Sequence, residues 1–158
     1  MRTYIAGPLF SDQDRSKLEE IAALVTKAGF SVYLPHKHGG DLGSVRIPYG
    51  RKNVRNTIFR RDVLEIKRAN VLVALLDGPD VDSGTAVEMG IAYEIGIPVV
   101  GLKTDFYRRN RTLNNMIWGV CEKGRRITFD TKGMMKVLTS LTKDSIHGRH
   151  GKKRSSQT

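Results

Sequence analysis

Short apolar runs alternate with amphipathic stretches along the chain. Residues 3–7 (TYIAG) form an unbroken run of the kind a strand buried on both faces needs. Leu18, Ile21, Ala22, Val25 and Ala28 then recur at helical spacing over 12–28, and Gly29 closes that helix. A second strand is predicted at 30–34 (FSVYL). Residues 35–52 hold four Gly and two Pro and read as a loop, longer than the usual connection and for that reason suspected of function. Val54, Ile58, Phe59, Val63 and Ile66 share one face of a helix over 53–68. Residues 70–76 (NVLVALL) are the clearest buried strand, 77–83 a turn, 85–96 a helix and 97–102 a strand. A basic loop leads to a short helix near 113–120, a fifth strand at 126–129 and a last helix over 131–143. There is no internal repeat.

Strands each followed by a helix imply βα units, with a parallel sheet covered on both faces and right-handed connections. A length of 158 residues suits one domain. The expected architecture is a single α/β domain over 1–146, a flavodoxin-like, doubly wound, five-stranded parallel sheet in an order such as 2-1-3-4-5. Ligands of such sheets sit beyond the carboxyl ends of the strands near the switch point. The segments to inspect are therefore 6–12, 77–88 and 103–115.

Charge and composition change this picture little. Lys and Arg number 27 against 16 Asp and Glu, a net +11. Residues 147–158 (HGRHGKKRSSQT) carry four of the basic side chains and no acidic one, so without them +11 becomes +7. That segment lacks apolar periodicity and is expected to be a disordered tail. The remaining excess lies mostly in 46–61 and 103–126, with no aromatic ladder, zinc pattern or helix-turn-helix signature, so nucleic acid is not the expected partner. No apolar run approaches the ~20 residues that span a bilayer, and the N-terminus lacks the parts of a signal peptide. A cytoplasmic protein without membrane contact is expected. The single Cys121 excludes an intrachain disulfide and reads as a small core residue. His36, His38, His147 and His150 fall in the glycine-rich loop and the tail and read as solvated.

The sequence has no GxGxxG and no GxxxxGK[ST], which argues against a dinucleotide or Walker-type site. The informative segment is DGPDVDSGTAVEMG (77–90). It sets Asp77, Asp80 and Asp82 at the carboxyl end of the third strand, and Ser83 and Gly84 open a helix carrying Glu88. An Asp or Ser there can simply cap the helix. However, Glu88 stands among Ala86, Val87, Met89 and Gly90, small or apolar neighbours that let a ligand approach. By pattern alone Asp62 is a solvent-facing or Arg-paired charge. Tyr4 is a core residue whose hydroxyl needs a partner.

Three pieces of the chain, YIAGPLF (4–10), 60–100 and NNMIWG (114–119), resemble the nucleoside 2-deoxyribosyltransferase family, and the likeness covers most of 3–130. The resemblance implies that Glu88 is the nucleophile, Tyr4 orients it and Asp62 serves the nucleobase. It places Asp82, Gly7 and Gly84 at the substrate, with Asn114 and Met116 in an element whose Asn is donated by a neighbouring subunit. It thus implies a homo-oligomer with shared active sites, acting on a deoxynucleoside and a free nucleobase. A carboxylate can stabilise a developing oxocarbenium ion and then capture it as a glycosyl-enzyme, with no metal or cofactor required.

A sister group, the deoxynucleoside 5′-monophosphate N-glycosidases, carries Ser where Asp82 and Asn114 stand here, and a Gly-Arg-Gly-rich loop after the first strand. A carboxylate beside a phosphate dianion is repelled by roughly 1–4 kcal/mol at ~4 Å. Asp82 and Asn114 suit a neutral 5′-hydroxyl, so transfer between bases is expected. Hydrolysis of nucleotides is the first alternative, and a non-catalytic nucleotide- or nucleic-acid-binding module the second.

Overall fold

The computed structural model describes residues 1–38, 51–105 and 113–151, with side chains placed as far as 143. Most of the suspected loop and of the basic loop lie outside the described residues. Five strands, β1 (Arg2–Ala6), β2 (Ser31–Tyr33), β3 (Val71–Leu75), β4 (Val99–Leu102) and β5 (Ile127–Thr128), form one sheet. All pairs are parallel and the order is β2-β1-β3-β4-β5, the doubly wound arrangement expected. Every residue of β3 is buried, as a central strand covered on both faces requires.

Alternation along the strands sorts the core into two halves. Ile5, Val71, Val73 and Val100 pack under α1 (Asp12–Lys27) and α6 (Thr131–Gly151), where they meet Leu18, Val25, Met134 and Leu138. Tyr4, Ala6, Leu72 and Ala74 face the other way. There they pack with residues of α3 (Lys52–Arg68), α4 (Ser83–Glu94) and α5 (Asn115–Val120). A capping box starts α1: the Asp14 amide donates to Ser11 Oγ at 3.0 Å and the Ser11 amide to Asp14 Oδ2 at 3.1 Å. At Gly7 a Cβ would lie 2.5 Å from Leu18 Cδ2, so this glycine lets the end of β1 run against α1. Cys121 is buried behind α5, and burial pushes its thiol up to about 12.

Three expectations need correction. The stretch read as loop from residue 35 begins with a short helix, α2 (Pro35–His38). Proline is well placed to open it, because the first turn has no partner for its amide. His36 is not solvated there: its side chain is 3% exposed and sits 3.0 Å from Glu19. The helix α6 does not end at 143 but runs to Gly151, so helical backbone enters the stretch expected to be a disordered tail. No helix among the described residues is long and apolar enough to cross a membrane.

Candidate active site

α3 and α4 cover the same face of the sheet, the face to which β1 points Tyr4. Tyr4 is fully buried, and its hydroxyl donates to Glu88 Oε1 at 2.6 Å. The partner that a buried phenol in the first strand needs is therefore the carboxylate of α4. Burial pushes the Glu88 carboxyl up to about 8, helped by the charges of Asp62 and Asp82 and opposed by the Tyr4 hydrogen bond. Burial and the Glu88 and Asp62 carboxylates raise the Tyr4 phenol above its ordinary range, so it remains a donor.

Asp62 comes from α3, half-buried, with its Oδ1 3.3 Å from Arg61 Nε. Its carboxyl is raised by burial, against the pull of Arg61 and Tyr33. Pattern alone left it either solvent-facing or Arg-paired; it is half-buried and Arg-paired, and it also lies close enough to Glu88 to repel it. Tyr33 and Arg61 were not among the candidates. Tyr33 pairs in register with Tyr4 across β1 and β2, and their rings stack at 5.5 Å. Two tyrosines at matching places in neighbouring strands were the available signal.

Asp82 caps α4: its Oδ2 accepts from the Thr85 amide at 2.9 Å and from Thr85 Oγ1 at 3.0 Å. The capping and ligand-binding interpretations are compatible, because both bonds use one oxygen. Gly84 follows, where a Cβ would lie 3.2 Å from Asp82 Oδ2. Tyr4, Glu88, Asp62 and Asp82 thus form one electrostatic group. The group holds two raised carboxyls, Glu88 at about 8 and Asp62, both pushed toward the protonated form by burial. It can serve as a nucleophile–acid pair with a phenol to orient the nucleophile.

Asn114 and Met116 stand at the start of α5, which packs against α4. Asn114 caps α5 through a 2.8 Å bond from the Met116 amide to its Oδ1. Both line a cavity of about 360 Å³ with Asp80, Val81, Ala86 and Lys103. No hydrogen bond among the described residues joins either to Tyr4, Asp62 or Glu88. Met116 and Trp118 are exposed. Among the described residues no cluster of three or more His, Cys, Asp or Glu is arranged to hold a metal ion.

A family model described as nucleoside 2-deoxyribosyltransferase matches residues 3–138. Among solved structures, a conserved protein from Enterococcus faecalis V583 is 26% identical with a TM-score of 0.70, covering 91% of this chain and 98% of its own. A 2-deoxyribosyltransferase from Bacillus psychrosaccharolyticus is 21% identical with a TM-score of 0.69, over 84% of this chain and 88% of that one. A CMP N-glycosidase from Clostridium botulinum shares the fold at 16% identity and a TM-score of 0.57, over 88% of this chain and 99% of that one. No curated protein matches the chain significantly.

Proposed function

The chain belongs to the nucleoside 2-deoxyribosyltransferase family. On that premise we propose that it moves 2-deoxyribose between nucleobases through a covalent glycosyl ester of Glu88. The observation that carries this is the 2.6 Å bond from Tyr4 to Glu88 Oε1, which holds the carboxylate in one orientation and leaves Oε2 for the sugar. Ionised Glu88 attacks the anomeric carbon. The C–O bond forms as the N-glycosidic bond breaks, and its electron pair leaves with the base, which takes a proton from Asp62. An incoming base then attacks the same carbon through nitrogen, expels Glu88 and returns its proton to Asp62. Two displacements give net retention. Asp82, at the mouth of α4, receives the neutral 5′-hydroxyl, and a carboxylate there disfavours a 5′-phosphate.

A base held by Asp62 excludes water from the glycosyl-enzyme, so the intermediate partitions to the acceptor. The test supplies a deoxynucleoside with a different free base and separates the products by chromatography. The exchanged deoxynucleoside is the expected product. Free deoxyribose alone at saturating acceptor, or reaction of 5′-monophosphates alone, would make the enzyme an N-glycosidase, an activity reported for the Clostridium botulinum neighbour.

Asn114 completes the site of a neighbouring subunit in this proposal, a reading supported by the exposed Met116 and Trp118 beside it. Mixing Glu88→Ala chains with Asn114→Ala chains should restore activity, because some mixed sites then carry both intact residues. Proven subunit exchange without complementation would exclude the shared site.

A further inference from the structure

The turn at 77–82 joins β3 to α4 and carries Asp82, yet it contains no regular structure. It is held instead by the three residues that follow β4. The Lys103 ammonium donates to the carbonyls of Leu76 and Gly78, both at 2.9 Å, and lies 3.3 Å from Asp105 Oδ1. Asp105 Oδ2 accepts the Gly78 amide at 2.5 Å, so both backbone groups of Gly78 are tied to the end of β4. Gly78 has φ +108, a conformation open to glycine and strained for other residues. The Asp77 carboxylate reaches the opposite way. Its Oδ1 accepts from the Thr104 amide at 2.6 Å and the Asp105 amide at 3.2 Å, and its Oδ2 from Thr104 Oγ1 at 2.7 Å. Lys17 of α1 pairs with the same oxygen.

Lys103 is 2% exposed. A lysine buried that deeply survives only where carbonyls and a carboxylate replace its water. Here the carbonyls belong to the entry of the turn that sets the start of α4, and the carboxylate, Asp105, also holds that turn through the Gly78 amide. We propose that Lys103 is a positioning residue for the reaction, holding the 77–82 turn so that Asp82 meets the sugar at a fixed distance from Glu88. The inference rests on the proposed reaction. Glu88 has a second restraint, the Tyr4 bond to β1, whereas Asp82 depends on the turn and on the first turn of α4. Slack in the clasp therefore displaces Asp82 first.

The test compares wild type with Lys103→Met on a deoxynucleoside and on its analogue lacking the 5′-hydroxyl. With the natural substrate, kcat should fall about 10-fold or more, as expected when a positioning group shifts by a fraction of an ångström. With the analogue, the two proteins should agree within about threefold, because the contact with Asp82 is gone from both. Hydrogen exchange on the ligand-free protein should quicken over 78–86 and remain unchanged in β1. Equal losses on both substrates, or no loss, would overturn the proposal, as would unchanged exchange over 78–86. Should Lys103→Met fail to fold, Asp105→Asn is measured in the same way. It keeps an acceptor for Gly78 and removes only the charge beside the ammonium, so a smaller loss with the same substrate dependence is expected. A wild type without turnover would overturn the reaction itself, and the exchange measurement would then decide the clasp by itself.

Discussion

Asp77 and Glu88 flank one turn and titrate in opposite directions. Asp77 is opposed by burial, but Lys17 and the Thr104 donors hold its carboxyl below the usual range. Glu88 is half-buried beside Asp62 and Asp82 with a phenol as donor, and its carboxyl rises to about 8. Residue type and sequence neighbourhood are nearly the same. What differs is the set of partners: a lysine and two backbone amides from other elements in one case, and Asp62 of α3 with the cap of its own helix, Asp82, in the other. Of the three carboxylates at the end of β3, Asp77 thus holds the turn and Asp82 caps α4 beside Glu88.

The harshest way to break this comparison is to delete the carboxylate proposed as nucleophile. Glu88→Ala should lower turnover by about 10³-fold or more while nucleoside still binds. Turnover near wild type would show that the raised carboxyl is incidental. Tyr4→Phe sharpens the comparison by removing the donor that favours ionised Glu88. The carboxyl should then climb above about 8, shifting the acidic limb of kcat/KM to higher pH and lowering the rate at pH 7 about 10-fold. A limb that remains in place would mean that Glu88 is not the group titrating.

The smallest effects are on stability, and they should have opposite signs. Folding raises the Glu88 pKa, so stability falls as pH rises from 4.5 toward 8. Glu88→Gln should therefore melt a few degrees higher than wild type at pH 8 and at the same temperature near pH 4. Folding lowers the Asp77 pKa, which contributes stability above 3.8 that disappears as pH falls through the folded value. Asp77→Asn should cost about 1–3 kcal/mol at pH 7, seen as a lower melting temperature, with the gap closing in acid. Shifts of the same sign in both variants would erase the distinction.

The sheet was legible because its burial repeats on the scale of a strand. The apolar runs at 3–7, 70–76 and 97–102 correspond to β1, β3 and β4, and the parallel order follows from the intervening helices. Glu88 and Tyr4 were legible once the resemblance was set beside the pattern. Arg61, Tyr33 and Lys103 were not. Lys103 reads as the start of a basic loop, and only carbonyls some 25 residues earlier in the chain make its burial tolerable. His36 was misread for the same reason: its partner, Glu19, belongs to α1. A short element such as α2 carries too few residues to show a period.

Cys121 has a practical consequence. It is the chain's only cysteine, is fully enclosed, and its thiol remains neutral far above physiological pH. Alkylating reagents act on thiolate, so the native chain should leave maleimides unreacted. Any cysteine installed at an exposed position such as Tyr93 or Phe10 would then be the sole point of attachment for a dye or spin label. Whether copies of the chain associate, and at what distance, could be measured on an otherwise unmodified background, without first removing the native thiol and disturbing the packing behind α5.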